Sequence, residues 1–191
     1  AVVAFPDGDS LDYVDGRMRE LWRDPERGSF PVAWSLNPIL ADLAPPLLAY
    51  YGTNATANDR FVAPPSGAGY LYPDYLGPGD LAPFLAFSGR YLNATGMDVP
   101  WLLNAFVANE IPYRDETLAA YARGLRPRGL VLDYADEPGA ADYYWMAGDV
   151  PVIRSTHLWT TEENFLAKVG AASAAWAQGP HFLWLTVYPW R

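Results

Sequence analysis

Residues 60–73 read RFVAPPSGAGYLYP: a short apolar run, two prolines, two glycines one residue apart, then two tyrosines one residue apart. The run RFVAP (60–64) has the length and composition of a strand. GDLAPFLAFSGRYL (79–92), just beyond the tyrosines, has the pattern of a helix. Whether this strand–loop–helix unit recurs decides the fold.

It recurs in both directions. Toward the N-terminus, AVVAF (1–5) leads through PDGDS to an amphipathic LDYVDGRMRELW (11–22), and PVAWSL (31–36) leads to a helical ADLAPPLLAYY (41–51). Toward the C-terminus, WLLNAFV (101–107) precedes DETLAAYARGL (115–125), where Gly124 suits a helix C-cap. GLVLDY (129–134) and VPVIRS (150–155) are the fifth and sixth strand candidates. A capping box from Thr160 to Glu163 opens the helix NFLAKVGAASAAW (164–176), and HFLWLTVY (181–188) is the seventh strand. The acidic segment 135–149 is too short for a clear crossover helix.

Seven near-continuously apolar strands alternating with five or six helices require crossovers and a mainly parallel sheet covered on both faces. A barrel and an open doubly wound sheet both satisfy this. The reading adopted is α/β, a (β/α) barrel-like single domain over 1–191 with about seven mainly parallel strands, or with an eighth lost to truncation. The chain opens directly on a strand and stops just after another, so it is expected to be part of a longer protein.

Bulk composition narrows the function classes. The 191 residues are 51% hydrophobic and 18% charged, which suits one folded domain with a substantial core. Acidic side chains outnumber basic ones 22 to 13, a formal charge of −9, and no basic run offers a local exception. A nucleic-acid partner is therefore excluded on charge. Cysteine is absent, so disulfides and thiolate metal sites are impossible. No apolar stretch reaches the roughly 18 residues of a membrane span. Asn54-Ala55-Thr56 and Asn93-Ala94-Thr95 fit N-glycosylation acceptors, consistent with an extracellular or secreted protein.

In parallel α/β folds, sites gather at the C-terminal ends of strands. Those positions here carry Asp7, Gly8 and Asp9, then Asn37, then Ser66 through Tyr72. They continue with Asn104 and Glu110, Asp133 and Tyr134, Arg154, His157 and Trp159, and finally Tyr188 and Trp190. Carboxylates, amides and aromatic rings on one rim are what a sugar requires: rings for the C–H faces, planar polar groups for the hydroxyls, and two carboxyls for acid and base or nucleophile.

The glycine motif itself is not a phosphate loop. It lacks the third glycine of a dinucleotide fingerprint and the Gly-Lys-Ser/Thr of a P-loop. It serves either as a plain strand-to-helix turn or as bare backbone beside a ligand, with Tyr70 and Tyr72 on one side of an extended segment. Gly67-Ala68-Gly69-Tyr70-Leu71-Tyr72-Pro73 matches, at every fixed position, the motif that names the GxGYxYP putative glycoside hydrolase family. The chain also resembles that family in its DGD at 7–9, DPERG at 24–28, PVAWSLNPILADLAP at 31–45 and the continuous NDRFVAPPSGAGYLYP. After about residue 110 the best anchors are Asp133-Tyr134 and Tyr188-Pro189-Trp190. The resemblance implies a barrel-like C-terminal domain, usually preceded by another domain, and a link to sugars. It carries over no catalytic residues.

The candidate catalytic carboxyls are Asp7, Asp9, Asp133 and Glu110. For Asp9 the competing role is structural, since Asp9 or Ser10 can cap the next helix. Candidate substrate-binding residues are Asn37, Ser66, Gly67, Gly69, Tyr70, Tyr72, Asn104, Tyr134, Arg154, His157, Trp159 and Trp190. Arg154 can clamp an acidic sugar or pair with Asp7 or Asp133. With His157 and His181 the only histidines, a histidine-rich metal centre is not available. No cofactor is expected, though Ca²⁺ or Mg²⁺ held by carboxylates alone stays compatible with the residues. Two functions follow. One is a glycoside hydrolase; the other is a non-catalytic extracellular carbohydrate-binding or structural module in a larger assembly with other domains or subunits.

Overall fold

Seven parallel strands, taken in chain order, form a nearly closed barrel. They are β1 (Val2–Phe5), β2 (Val32–Ser35), β3 (Asp59–Val62), β4 (Trp101–Leu102), β5 (Leu130–Leu132), β7 (Val150–Leu158) and β8 (Trp184–Val187). The computed structural model describes residues 2–103, 113–133, 144–158, 161–175 and 183–188. β1 pairs with β2 on one side and β8 on the other, with Val3 opposite Val32 and Leu185. The seam between β3 and β4 is a single bridge, Ala63 to Pro100, held by Ala63 N to Val99 O (3.0 Å) and Trp101 N to Ala63 O (2.9 Å).

An additional strand, β6 (Tyr144–Ala147), runs antiparallel to the first half of β7. It lies in the segment that sequence reading left without a clear crossover. β5 occupies one edge of β7, so β6 and β8 share the other. The mainly parallel reading therefore holds with one antiparallel exception.

Alternation along each strand separates the interior from the helix layer. Ala4, Ala33, Val62, Trp101, Val131 and Trp184 form one cluster, the barrel interior, joined by Val2 and Ile153. The indoles of Trp101 and Trp184 meet edge-on at 5.5 Å within it, and the other strands contribute alanine and valine. The opposite faces bind helices. Trp34, Trp22, Tyr51 and Met18 join β2 to α2 (Arg17–Trp22) and α4 (Pro45–Thr53). Leu130, Leu132 and Val152 pack on α5 (Pro78–Thr95) and α6 (Asp115–Leu125). Leu183 and Leu185 pack on α7 (Glu162–Ala175).

Three local expectations are corrected. The helix foreseen over 11–22 is split into α1 (Leu11–Asp15) and α2, because Gly16 leaves helical geometry. The next divides into α3 (Leu40–Leu43) and α4 at Ala44, whose helical conformation is disfavoured by the following Pro45. Gly124 lies inside α6, where a side chain would press on Leu85; the left-handed C-cap is Arg126. The capping residue Thr160 lies outside the described residues. No described helix is long and apolar enough to cross a membrane.

Candidate functional site

The site is built from the loop after β1. Gly8 sits flush against β2: a Cβ there would fall 1.9 Å from the Ser35 carbonyl oxygen, so only glycine fits. Gly8 N donates to Ser35 Oγ (2.8 Å) and Asn37 N donates to Gly8 O (3.0 Å), strapping the loop to the end of β2. Asp7 holds a left-handed backbone (φ 73°), and Ser10 N donates to its carbonyl at 2.9 Å. The capping question resolves in favour of Ser10, whose Oγ accepts from Tyr13 N at 3.4 Å. Asp9 is thereby left to the barrel mouth.

Asp133 arrives from β5. In ring order β5 stands opposite β1, three strands away one way round and four the other. Its backbone N donates to Leu102 O at 2.8 Å, and the Tyr113 hydroxyl lies 2.7 Å from its carbonyl oxygen. Ser155 Oγ, fully buried on β7, stands 3.5 Å from Asp133 Oδ1.

Asp7, Asp9 and Asp133 line one cleft of about 120 Å³ at the C-terminal mouth, together with Pro6, Pro64, Pro65, Tyr70, Trp101, Leu103 and Tyr188. The Asp9 residue is exposed as a whole, yet its carboxyl sits among enough protein to lose hydration. That desolvation raises its pKa above the ordinary 3.8, against a backbone hydrogen bond that lowers it, and the Asp133 charge raises it further. The two carboxyls thus interact electrostatically across the mouth.

The glycine motif packs closely against its neighbours before it reaches the cleft. Ser66 is fully buried in a left-handed conformation (φ 71°). Its N donates to Trp101 O (2.7 Å), its Oγ donates to Leu71 O (2.9 Å) and accepts from Leu103 N (3.0 Å), and its carbonyl accepts from Tyr121 Oη (2.8 Å). Burial pushes the Tyr121 hydroxyl far above its usual range, keeping it a donor. Gly67 (φ 133°) lies against α5, where a Cβ would meet Ser88 Oγ at 2.6 Å, and Ala68 N donates to that oxygen at 3.1 Å. The close neighbour of Gly67 is a helix. Gly69 (φ 151°) keeps a backbone that favours glycine. The motif then delivers Tyr70 to the cleft, its ring 5.9 Å from that of Tyr72.

Asn37 is also drawn into the scaffold: it is buried and its Oδ1 accepts from Ile39 N at 3.1 Å. The Arg154 guanidinium lies over Trp145 of β6 at 4.9 Å. His157 stands on β7 in register with Thr186. Glu110, Asn104, Tyr134, Trp159 and Trp190 lie outside the described residues. Both sequon asparagines are exposed, Asn54 at the end of α4 and Asn93 on the last turn of α5.

Sequence reasoning missed Trp101, Ser155 and Thr186. Each shares the inward parity of its strand, and an inward hydroxyl on β7 and on β8 is a readable signal. Trp101 Nε1 and Thr186 Oγ1 are buried and have no hydrogen-bond partner among the described residues. Trp101, which lines the cleft, therefore brings unused polar capacity to it.

A family model described as the GxGYxYP putative glycoside hydrolase C-terminal domain matches residues 2–191. No curated protein matches the chain. Among solved structures, the fold is similar to a crystal structure of a putative hydrolase from Bacteroides thetaiotaomicron VPI-5482, with a TM-score of 0.77 and 23% identity. The match covers 99% of this chain and 38% of that one, so the chain spans well under half the length of that relative.

Proposed function

The chain belongs to the GxGYxYP putative glycoside hydrolase C-terminal domain family, and from that premise we propose that its cleft hydrolyses a glycosidic bond. Asp9 is the general acid and Asp133 the opposing base or nucleophile. The observation that carries the reading is that Asp9 and Asp133, from strands on opposite sides of the ring, line one cleft, where desolvation and then the Asp133 charge raise the Asp9 pKa. A carboxyl whose pKa is raised, facing a second carboxyl, is how glycosidases supply a general acid opposite a base or nucleophile.

In this mechanism the Asp9 proton passes to the leaving oxygen as the bond to the anomeric carbon breaks. Asp133, on the other side of the mouth, either attacks that carbon to form an ester that water then hydrolyses as Asp9 takes the water proton, or takes a proton from the water that attacks directly. Asp7 holds sugar hydroxyls from the Asp9 loop. Tyr70, Tyr188 and the three prolines supply apolar surface for the C–H faces of the ring, and the buried Trp101 Nε1 donates to a hydroxyl or an ordered water. A glycan substrate and exposed sequon asparagines accord with an extracellular location.

The test is a glycan array with a hydrolysis readout. Asp9→Asn and Asp133→Asn are expected to lower hydrolysis about 10²- to 10⁴-fold while glycan binding changes little. Binding without any turnover by the unaltered protein would overturn the catalytic reading in favour of a carbohydrate-binding module.

A further inference from the structure

Tyr70 is the first of three rings that lead away from the cleft. Its centroid lies 5.9 Å from that of Tyr72, which lies 6.0 Å from that of Tyr75, and both contacts are edge-on. The Tyr70 and Tyr72 hydroxyls meet at 3.5 Å. Tyr70 is 57% exposed and Tyr75 is 67% exposed, so the row begins at the cleft wall and ends in solvent. Large rings left this open are unusual where nothing covers them.

The backbone beneath the row is fixed. Ser66 anchors its start through Trp101, Leu103 and Tyr121. Pro73 is buried and opens a 3₁₀ turn, Pro73–Tyr75. Asp74 carries a side chain only 6% exposed, and it accepts from Arg114 N (3.2 Å) and Arg114 Nε (3.4 Å) at the start of α6, while Arg114 Nη2 donates to the Asp74 carbonyl. Leu76 then packs into the cluster between α5 and α6. A mobile loop would lose entropy on ordering its rings around a ligand; this one is held in place beforehand.

We propose that Tyr72 and Tyr75 form outer sugar-binding positions continuous with the cleft, so that the ligand class is an oligosaccharide or polysaccharide chain and not a free monosaccharide. The inference rests on the carbohydrate reading of the cleft and deepens it. A linear glycan is favoured over a protein partner because the row is a single file of rings with hydroxyls, continuous at one end with a carboxylate-lined cleft. A flat apolar patch would fit a protein better.

The test measures binding of the unaltered protein and of Tyr75→Ala to arrayed glucose, galactose, mannose, xylose and N-acetylglucosamine oligomers of graded length. The expected result is affinity that rises with chain length in the unaltered protein. Tyr75→Ala should flatten that rise, weakening the longest bound oligomer roughly three- to tenfold and the shortest far less. Phe30→Ala, an exposed ring elsewhere on the molecule, is the control and leaves the length dependence intact. Binding that ignores chain length would overturn the proposal, assign the row to a protein contact and leave the cleft reading standing. Failure to bind any glycan would remove the cleft reading as well.

Discussion

Two aspartates at opposite ends of the barrel have opposite fates. Asp59 begins β3 at the N-terminal end, with its side chain only 1% exposed. Burial alone would raise its pKa. Donation from Thr56 N (2.8 Å), Trp34 Nε1 (2.8 Å) and Thr56 Oγ1 (2.8 Å), with the adjacent Arg27 guanidinium, outweighs that burial and holds it below the ordinary 3.8. Asp9, at the C-terminal end, is desolvated beyond what its backbone hydrogen bond offsets, and the Asp133 charge adds to this, so its pKa rises. A carboxylate saturated with donors is part of the scaffold; one desolvated with less compensation and set beside a like charge is ready to hold a proton. The family-like stretches divide the same way. DPERG supplies Arg27 to the scaffold, and DGD supplies the mouth.

That contrast can be broken at either end. The largest effect is on chemistry, the 10²- to 10⁴-fold loss of hydrolysis foreseen for Asp9→Asn and Asp133→Asn, whereas Asp59 variants that remain folded keep their turnover. Next is stability at the closed end. Asp59→Ala strands Arg27 and Trp34 and is expected to cost about 3–5 kcal/mol by urea unfolding at neutral pH. Because the Asp59 pKa is depressed on folding, its contribution is lost as pH falls through the folded value. The gap between this variant and the unaltered protein therefore narrows below pH 3.8. Gly8→Ala, driven against the Ser35 carbonyl, is expected to cost about 3 kcal/mol and to disturb Asp7 and Asp9 together. Asp9→Asn should act in the opposite direction and raise the melting temperature at neutral pH. A raised folded pKa means stability is complete below 3.8 and lost as pH rises through the folded value, so the advantage of asparagine disappears at low pH. The smallest effect belongs to Gly124→Ala. The added methyl meets the flexible end of Leu85 at 3.2 Å while helix propensity improves, and unfolding should move by less than about 1 kcal/mol.

The barrel was legible because its strands are short apolar runs bounded by turn residues, and their order in the ring is their order in the chain. β6 was not, because YWMA follows an acidic stretch and alternates exposed and half-buried residues at the edge of β7. The strand-end rule places Asp7, Asp9 and Asp133 on one rim from the sequence alone, and all three line the cleft. The same rule picked out Ser66, Gly67 and Asn37, whose polar or bare positions serve the neighbouring scaffold. Only packing could reveal that Ser88 of α5 fills the space beside Gly67. The inward hydroxyls Ser155 and Thr186 are less legible because only parity with Ile153 and Trp184 marks them as inward.

The central claim is that Asp9 is held toward its protonated form by the cleft and by Asp133. A carbon-detected NMR titration of the Asp9 carboxyl, in the unaltered protein and in Asp133→Asn, tests it directly. The account predicts a pKa above 3.8 in the first and a lower value in the second, since neutralising residue 133 removes one of the causes that raise it. A value at or below 3.8, unchanged when Asp133 is replaced, would contradict it.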